Sequence, residues 1–141
     1  MIVYGTVMPW HSDPGANGAR NWVEHHRVVP EQAREWLELR SAYPGIALCV
    51  AGDFNMDMGG SHYYGTKTGR AALTDGLREA QLDCVTSTDR IPAGKLAHAP
   101  IDHICVSTTL AAGATVVDAW NGTLDGIRLS DHSGLVIEFS S

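Results

Sequence analysis

The six-residue run at positions 46–51 (IALCVA) constrains the fold more than any other stretch of this chain. It is continuously apolar, and Pro44-Gly45 precedes it while Gly52 follows it. A strand with one face in water alternates polar and apolar residues, so an unbroken apolar run of this length predicts a strand that is buried on both faces. Such strands are typical of α/β proteins.

The remaining segments predict the element order β-α-β-α-β-β-β-β, which is an α/β architecture. Apolar residues with helical spacing predict helices over 22–43 and 68–82. In the first helix the stronger signal starts at Pro30, which suits a first helical turn, and the helix stops at Pro44-Gly45. Segment 121–128 is predicted to be a loop, and a turn around Ala112-Gly113 joins two of the strands. The other strands are predicted at 1–8, 84–87, 101–107, 115–120 and 135–139.

Length and cysteine content fit one domain, 1–141, in a reducing compartment. A chain of 141 residues with 44% hydrophobic residues can bury a core without disulfides. Cys49, Cys84 and Cys105 are odd in number and lie in apolar stretches, which predicts buried free thiols. With no apolar run long enough to span a membrane and no leader-like start, a cytoplasmic location is expected.

Three short strings place acidic and imidazole groups at the ends of predicted strands. They are Gly52-Asp53-Phe54-Asn55, Ile101-Asp102-His103 and Ser130-Asp131-His132. Each string alone is more often a plain turn or a solvated strand end, because Asp and Asn bond their own backbone there. Ligands gather where strand ends meet loops, so three such ends predict one shared pocket.

Other interpretations of these residues fail on their spacing. The segment from Asp53 to Asp57 begins like an EF-hand loop, but Met58 and Tyr64 occupy the places that need Gly and Glu. The string at 59–63 (GGSHY) lacks the final Gly of a nucleophile elbow. The pair His25-His26 has no third ligand at metal spacing, which favours a solvated helix face.

Four segments together resemble the endonuclease/exonuclease/phosphatase family, whose fold is DNase I-like. They are 3–10 (VYGTVMPW), 50–57 (VAGDFNMD), 100–107 (PIDHICVS) and 129–139 (LSDHSGLVIEF). The family fold is a four-layer α/β/β/α sandwich. The resemblance implies that this chain is one half of it, a mostly antiparallel sheet covered by two helices, without the family's N-terminal segment.

The resemblance also implies metal-dependent hydrolysis of a phosphoester by in-line attack of water. Asp53 would orient or activate the water, or bind the metal, and Asn55 would hydrogen-bond the phosphate. Asp131 would be a ligand of Mg²⁺, with Mn²⁺ as the alternative ion. His132 would contact phosphoryl oxygens, with its other ring nitrogen oriented by Asp102. Mg²⁺ is typically held by one or two carboxylates together with water and phosphate oxygens, which suits these residue types.

Two departures from the family pattern keep an inactive binding or assembly module as the alternative. The family's N-terminal Asn and its principal metal-binding Glu have no counterpart here, so activity is expected to be impaired. Val7 and Met8 stand where many members carry a His or Tyr that faces the phosphate, and His11 is the nearest replacement. Trp10 in the same loop is a further candidate for substrate binding.

The net charge limits the kind of substrate, and the expected half-domain predicts how the chain associates. Ten Lys and Arg against 16 Asp and Glu give a net charge of −6, which disfavours a long nucleic-acid footprint. DNA, RNA and a small organic phosphate all remain candidate substrates. An uncovered apolar sheet face predicts a homo-oligomer or pairing with an N-terminal half.

Overall fold

A four-stranded mixed sheet positions the rest of the molecule. The computed structural model describes residues 1–140, and its main sheet has the order β1-β2-β4-β3. These strands are β1 (Ile2–Val7), β2 (Leu48–Asp53), β3 (Leu82–Cys84) and β4 (Asp102–Ser107). β1 pairs with β2 in parallel, and the other two pairings are antiparallel. The apolar run therefore supplies an interior strand, as predicted, but the strand begins at Leu48 and continues to Asp53, and Ile46 at the start of the run is 44% exposed.

Two helices cover one face of this sheet. They are α1 (Val23–Ala42) and α2 (Lys67–Glu79). Trp36 of α1 and Leu73 and Leu77 of α2 are buried against the sheet in the main core. Thr66 caps α2, because its hydroxyl accepts the Gly69 N–H at 2.9 Å. Both predicted helices are confirmed, and α2 ends three residues earlier than expected.

The first turns of α1 differ from the prediction. Pro30 lies inside the helix rather than in its first turn. His25 is fully buried, with Nε2 3.0 Å from the Phe54 carbonyl oxygen, and His26 Nε2 lies 2.7 Å from Thr66 Oγ1. The prediction of a solvated histidine face is therefore wrong. Burial of His25 anchors the turns before Pro30, which offsets the hydrogen bond that a proline cannot donate.

The last third of the chain forms a second, smaller sheet. A one-turn helix α3 (Thr108–Ala111) precedes the predicted turn at Ala112-Gly113, and β5 (Ala114–Trp120) then pairs antiparallel with β8 (Gly134–Phe139). The segment predicted as a loop contains a hairpin of β6 (Thr123–Leu124) and β7 (Ile127–Arg128). Its turn residues Asp125 and Gly126 have φ angles of 51° and 77°. Positive φ at both turn positions is the tight hairpin geometry that Asp-Gly favours, so the loop prediction is wrong there.

The second sheet covers only part of the main sheet's other face. Ala114 and Ile137 pack on a small core of four buried residues: Cys49, Val85, Val106 and Ala111. On β1 the same face is open, since Val3 and Val7 are 66% and 80% exposed. The α/β class and the sheet with two covering helices are confirmed.

The cysteines follow the sequence prediction except that Cys84 is not buried. Cys49, Cys84 and Cys105 are free thiols; Cys49 and Cys105 are buried, and Cys84 is partly exposed. Among the residues that the structure describes, no helix is long and apolar enough to cross a membrane.

Gly52 is expected to be irreplaceable in β2. Its φ is 146°, and a Cβ there would collide with the Thr6 carbonyl oxygen. Gly52→Ala should lower the free energy of unfolding in urea by about 2 kcal/mol or more, through strain and loss of the β1–β2 contact. Gly5→Ala is the matched control, since a Cβ at Gly5 meets no atom within 4 Å. Equal effects of the two substitutions would contradict this account.

Candidate active site

Four strand ends meet at one edge of the molecule. β1 and β2 run in parallel, so both end there, with Val7 beside Asp53. β4 runs the other way and begins there, with Asp102 opposite Asp53. His132 lies just before β8, which also starts at this edge. The ends line an open cleft of about 1280 Å³, so the predicted convergence of the three strings is present.

Asp53 and Asn55 form a closed hydrogen-bonded unit. Asp53 Oδ1 accepts the Asn55 backbone N–H at 2.7 Å, and Oδ2 accepts from Asn55 Nδ2 at 2.9 Å. The same Nδ2 donates to the Met8 carbonyl oxygen at 2.8 Å. Asn55 has φ 48°, a left-handed conformation that Asn tolerates better than most residues. Both amide hydrogens of Asn55 are thus used in hydrogen bonds. Asn55 can donate to a substrate oxygen only if one of these two hydrogen bonds breaks.

His132 and Asp102 form the second unit. His132 Nδ1 lies 2.6 Å from Asp102 Oδ2, and Ser130 Oγ accepts the His132 backbone N–H at 3.0 Å. The hydrogen bond to Asp102 raises the pKa of His132, while partial burial opposes it. Because Nδ1 is engaged, Nε2 is the ring atom left for a ligand in the cleft.

The two units lie close enough to share a cation. One ligand atom each from Asp53, Asp102 and His132 all lie within 4.8 Å of one another. Burial raises the pKa of Asp53, as does the charge of Asp102, and the Asn55 backbone N–H opposes this rise. The two carboxylates suit Mg²⁺ or Mn²⁺, which prefer oxygen ligands, whereas an imidazole nitrogen is more typical of zinc and iron sites. Asp131 lines the same cleft as an exposed side chain but is not a member of this three-residue group.

Trp10 and His11 lie in the loop after β1 and line the cleft. Trp10 is 50% exposed, and its ring meets that of His11 edge-on with centroids 5.1 Å apart. His11 Nε2 lies 2.8 Å from Ser12 Oγ. The structure thus brings both predicted substrate contacts to the cleft, with no hydrogen bond from either to the acidic residues described above.

Asp57, four residues after Asp53, is buried and holds the following loop in place. It forms an ion pair with Arg70, and its Oδ2 accepts the backbone N–H groups of Tyr63 and Tyr64. Arg70 also donates to the Asp57 carbonyl oxygen at 2.9 Å. This ion pair fixes the loop that carries both tyrosines along the cleft. Arg70 lies 13 positions after Asp57, and no local sequence motif links the two residues.

Two further cleft features were not predicted. Tyr63 stacks on His98 with ring centroids 4.4 Å apart and an interplanar angle of 6°, and both rings line the cleft. Behind the cleft, buried His103 places Nε2 2.9 Å from the Met56 carbonyl oxygen, next to Asn55 in the chain. The sequence signal for His103 was its place beside Asp102 in one of the three strings.

Comparison with known proteins supports the fold. No family model and no curated protein matches the chain. Among solved structures, a 3′-5′ exonuclease (NExo) from Neisseria meningitidis superposes with TM-score 0.69 and 16% identity over 99% of this chain. The 3′ phosphatase NExo from Neisseria, bound to a product DNA hairpin, superposes with a TM-score of 0.68 and 15% sequence identity over 99% of this chain. An AP endonuclease (LMAP) from Leishmania major superposes with a TM-score of 0.50 and 15% sequence identity. The match covers 74% of this chain and 40% of the endonuclease chain.

These neighbours have the DNase I-like fold, and at such identities the likeness shows the fold alone. The chain spans 61% of the length of both NExo structures. The sequence-based expectation of a DNase I-like α/β fold is therefore confirmed.

Asp102→Asn should lower the pKa of His132, because it replaces the charged hydrogen-bond acceptor that raises this pKa. A raised folded-state pKa stabilises the fold below the unfolded value of about 6.5 and ceases to do so as pH rises through the folded value. The substitution should therefore cost more stability near pH 5.5 than at about pH 8.5. NMR titration of the His132 ring protons and urea unfolding at both pH values measure these effects.

Asp131→Asn is the matched control for this experiment. Asp131 also raises the pKa of His132, but as the smallest of the causes. If Asp131→Asn lowered that pKa as much as Asp102→Asn, the assigned role of Asp102 would be wrong.

Proposed function

We propose that this chain belongs to the endonuclease/exonuclease/phosphatase family and is a divalent-metal-dependent phosphoester hydrolase. The observation that carries the proposal is the pairing of Asp53 with Asp102 across β2–β4, with Asn55 bound to the first and His132 to the second. The nuclease and phosphatase names of the structural neighbours support phosphoester hydrolysis at a general level.

The acidic residues would hold the cation and handle the water. We propose Asp53 and Asp131 as metal ligands, with the Asp102 carboxylate near enough to contribute. A bound Mg²⁺ or Mn²⁺ neutralises charge on the phosphoryl group. Asp53 orients the attacking water and accepts its proton, a task for which a raised pKa is favourable.

The remaining residues would bind the phosphate and the leaving group. His132, kept in one orientation and favoured in its charged form by Asp102, donates from Nε2 to a non-bridging phosphoryl oxygen. Asn55 exchanges its bond to Asp53 for a bond to the phosphate. Trp10 and His11 form the outer wall of the cleft, where they contact the group attached to the phosphorus.

A short or small substrate fits the charge of this chain. The net charge of −6 leaves little attraction for a long run of phosphates. We therefore propose a small phosphodiester or a short nucleic-acid end as substrate, in a site that turns over slowly.

The test is Mg²⁺- or Mn²⁺-dependent release of p-nitrophenol from bis-p-nitrophenyl phosphate. Asp53→Asn and His132→Ala should each lower the rate at least about 100-fold, because each removes a group that acts on the water or the phosphate. Asp75→Asn is the matched control. Asp75 pairs with Arg78 on α2, away from the cleft, and its loss should leave the rate unchanged.

Release that survives His132→Ala would show that the activity belongs to another site or another protein. Absence of release with every divalent cation would favour the alternative, an inactive member of the fold that acts as a binding or assembly module.

We further propose that the chain associates through the open face of β1. Val3 and Val7 are strongly exposed there, and exposed apolar sheet faces are usually interfaces. Sedimentation should detect association at micromolar concentration, and Val3→Lys should weaken it. Val23→Lys, at an exposed valine of α1, is the matched control and should not. A monomer at every concentration would refute the proposal.

A further inference from the structure

Two cysteines lie directly opposite each other in the main sheet. Cys84 of β3 pairs with Cys105 of β4. The next pair along, Val85 and Ile104, is hydrogen-bonded, with Val85 N 2.9 Å from the Ile104 carbonyl oxygen. Hydrogen-bonded and non-hydrogen-bonded pairs alternate in antiparallel strands, so the cysteine pair is of the close type, with Cα atoms roughly 4.5 Å apart. Disulfides form at Cα separations of about 4.4–6.8 Å.

Both thiols also lie on the same side of the sheet. Cys105 belongs to the core beneath the helices, and Cys84 packs against that core. Cys49 belongs to the small core on the other face, together with its strand neighbour Val106. The sheet therefore separates one thiol from the two that face each other.

We propose that Cys84 and Cys105 are an oxidative modification site, which a peroxide converts into an intramolecular cross-strand disulfide. Cys84 reacts first because it is partly exposed, whereas Cys105 is fully buried. Nothing in the proposed hydrolysis uses either thiol, so this site is independent of that function.

The reaction balances with a peroxide as the oxidant. The Cys84 sulfur attacks one oxygen of hydrogen peroxide, the O–O bond breaks, and Cys84 becomes a sulfenic acid as one water leaves. The Cys105 sulfur then attacks the Cys84 sulfur, the S–O bond breaks, and a second water leaves with the Cys105 proton. Two thiols are oxidised to one disulfide, and one peroxide is reduced to two waters.

The electrostatics of the pair favour this order. A hydrogen bond from the Cys105 thiol lowers the pKa of Cys84, while burial raises the pKa of Cys105. The thiolate is the form that attacks a peroxide, so the lowered pKa favours Cys84 as the first thiol to react, and Cys105 loses its proton as it attacks the Cys84 sulfenic acid.

The disulfide would close the chain segment that forms one wall of the cleft. His98 and Asp102 lie between the two cysteines in sequence, and both line the cleft. Oxidation therefore joins the two ends of that segment without altering any cleft residue.

The experiment treats the folded chain with hydrogen peroxide, blocks the remaining thiols under denaturing conditions, and counts them by mass spectrometry. The untreated chain should show three blocked thiols, and the oxidised chain one, with a mass lower by two hydrogens before blocking. Peptide mapping should find Cys84 joined to Cys105, and dithiothreitol should restore all three thiols. Cys49→Ala is the matched control and should go from two thiols to none.

Cys84→Ala should retain both of its thiols after the same treatment, whereas Cys105→Ala should lose one, because its Cys84 becomes a sulfenic acid that has no resolving thiol. Three thiols remaining in the oxidised wild-type chain, or a disulfide that includes Cys49, would overturn the proposal. Both of these readouts come from the wild-type chain, so the result does not depend on whether the alanine variants fold.

Discussion

The pairing of Asp53 with Asp102 is the constraint on which the site depends. Antiparallel register puts the two carboxylates directly opposite each other on one face, and like charges so placed destabilise a sheet. Each carboxylate has its own compensating partner, the amide groups of Asn55 for Asp53 and the imidazole of His132 for Asp102. A bound cation would relieve the same repulsion. The unfavourable pairing thus accounts for both the local hydrogen bonds and the affinity for a metal that we propose.

The surrounding structure holds this pairing in place from several sides. Asn55 ties the end of β2 to the end of β1 through the Met8 carbonyl oxygen. His103, buried beneath Asp102, holds the carbonyl oxygen of Met56. The β5–β8 pair brings His132 to the cleft and packs on the far side of the main sheet. The site is therefore built from strand ends that are far apart in sequence, and each depends on the packing of a different layer.

The sequence predicted the parts that rest on local pattern. The apolar run predicted the interior strand, and helical spacing predicted both long helices. The three short strings predicted the residues that meet at the cleft. The sequence pattern did not predict contacts between segments that are far apart in the chain. His25 is buried because the Phe54 carbonyl oxygen, 29 positions away, accepts its hydrogen bond, and Asp57 is an anchor because Arg70 reaches it. The Asp125-Gly126 hairpin, in contrast, carried a recognisable local signal inside a segment predicted as a loop.

Binding of Mn²⁺ followed by NMR tests the central claim most directly, because it locates the cation without requiring turnover. Paramagnetic broadening of backbone amide signals should be strongest at Asp53, Asn55, Asp102, Asp131 and His132. Signals at the opposite end of the main sheet, around α3, should remain sharp. Broadening centred elsewhere, or equal broadening throughout the chain, would show that the paired carboxylates do not form a metal site and would contradict the account.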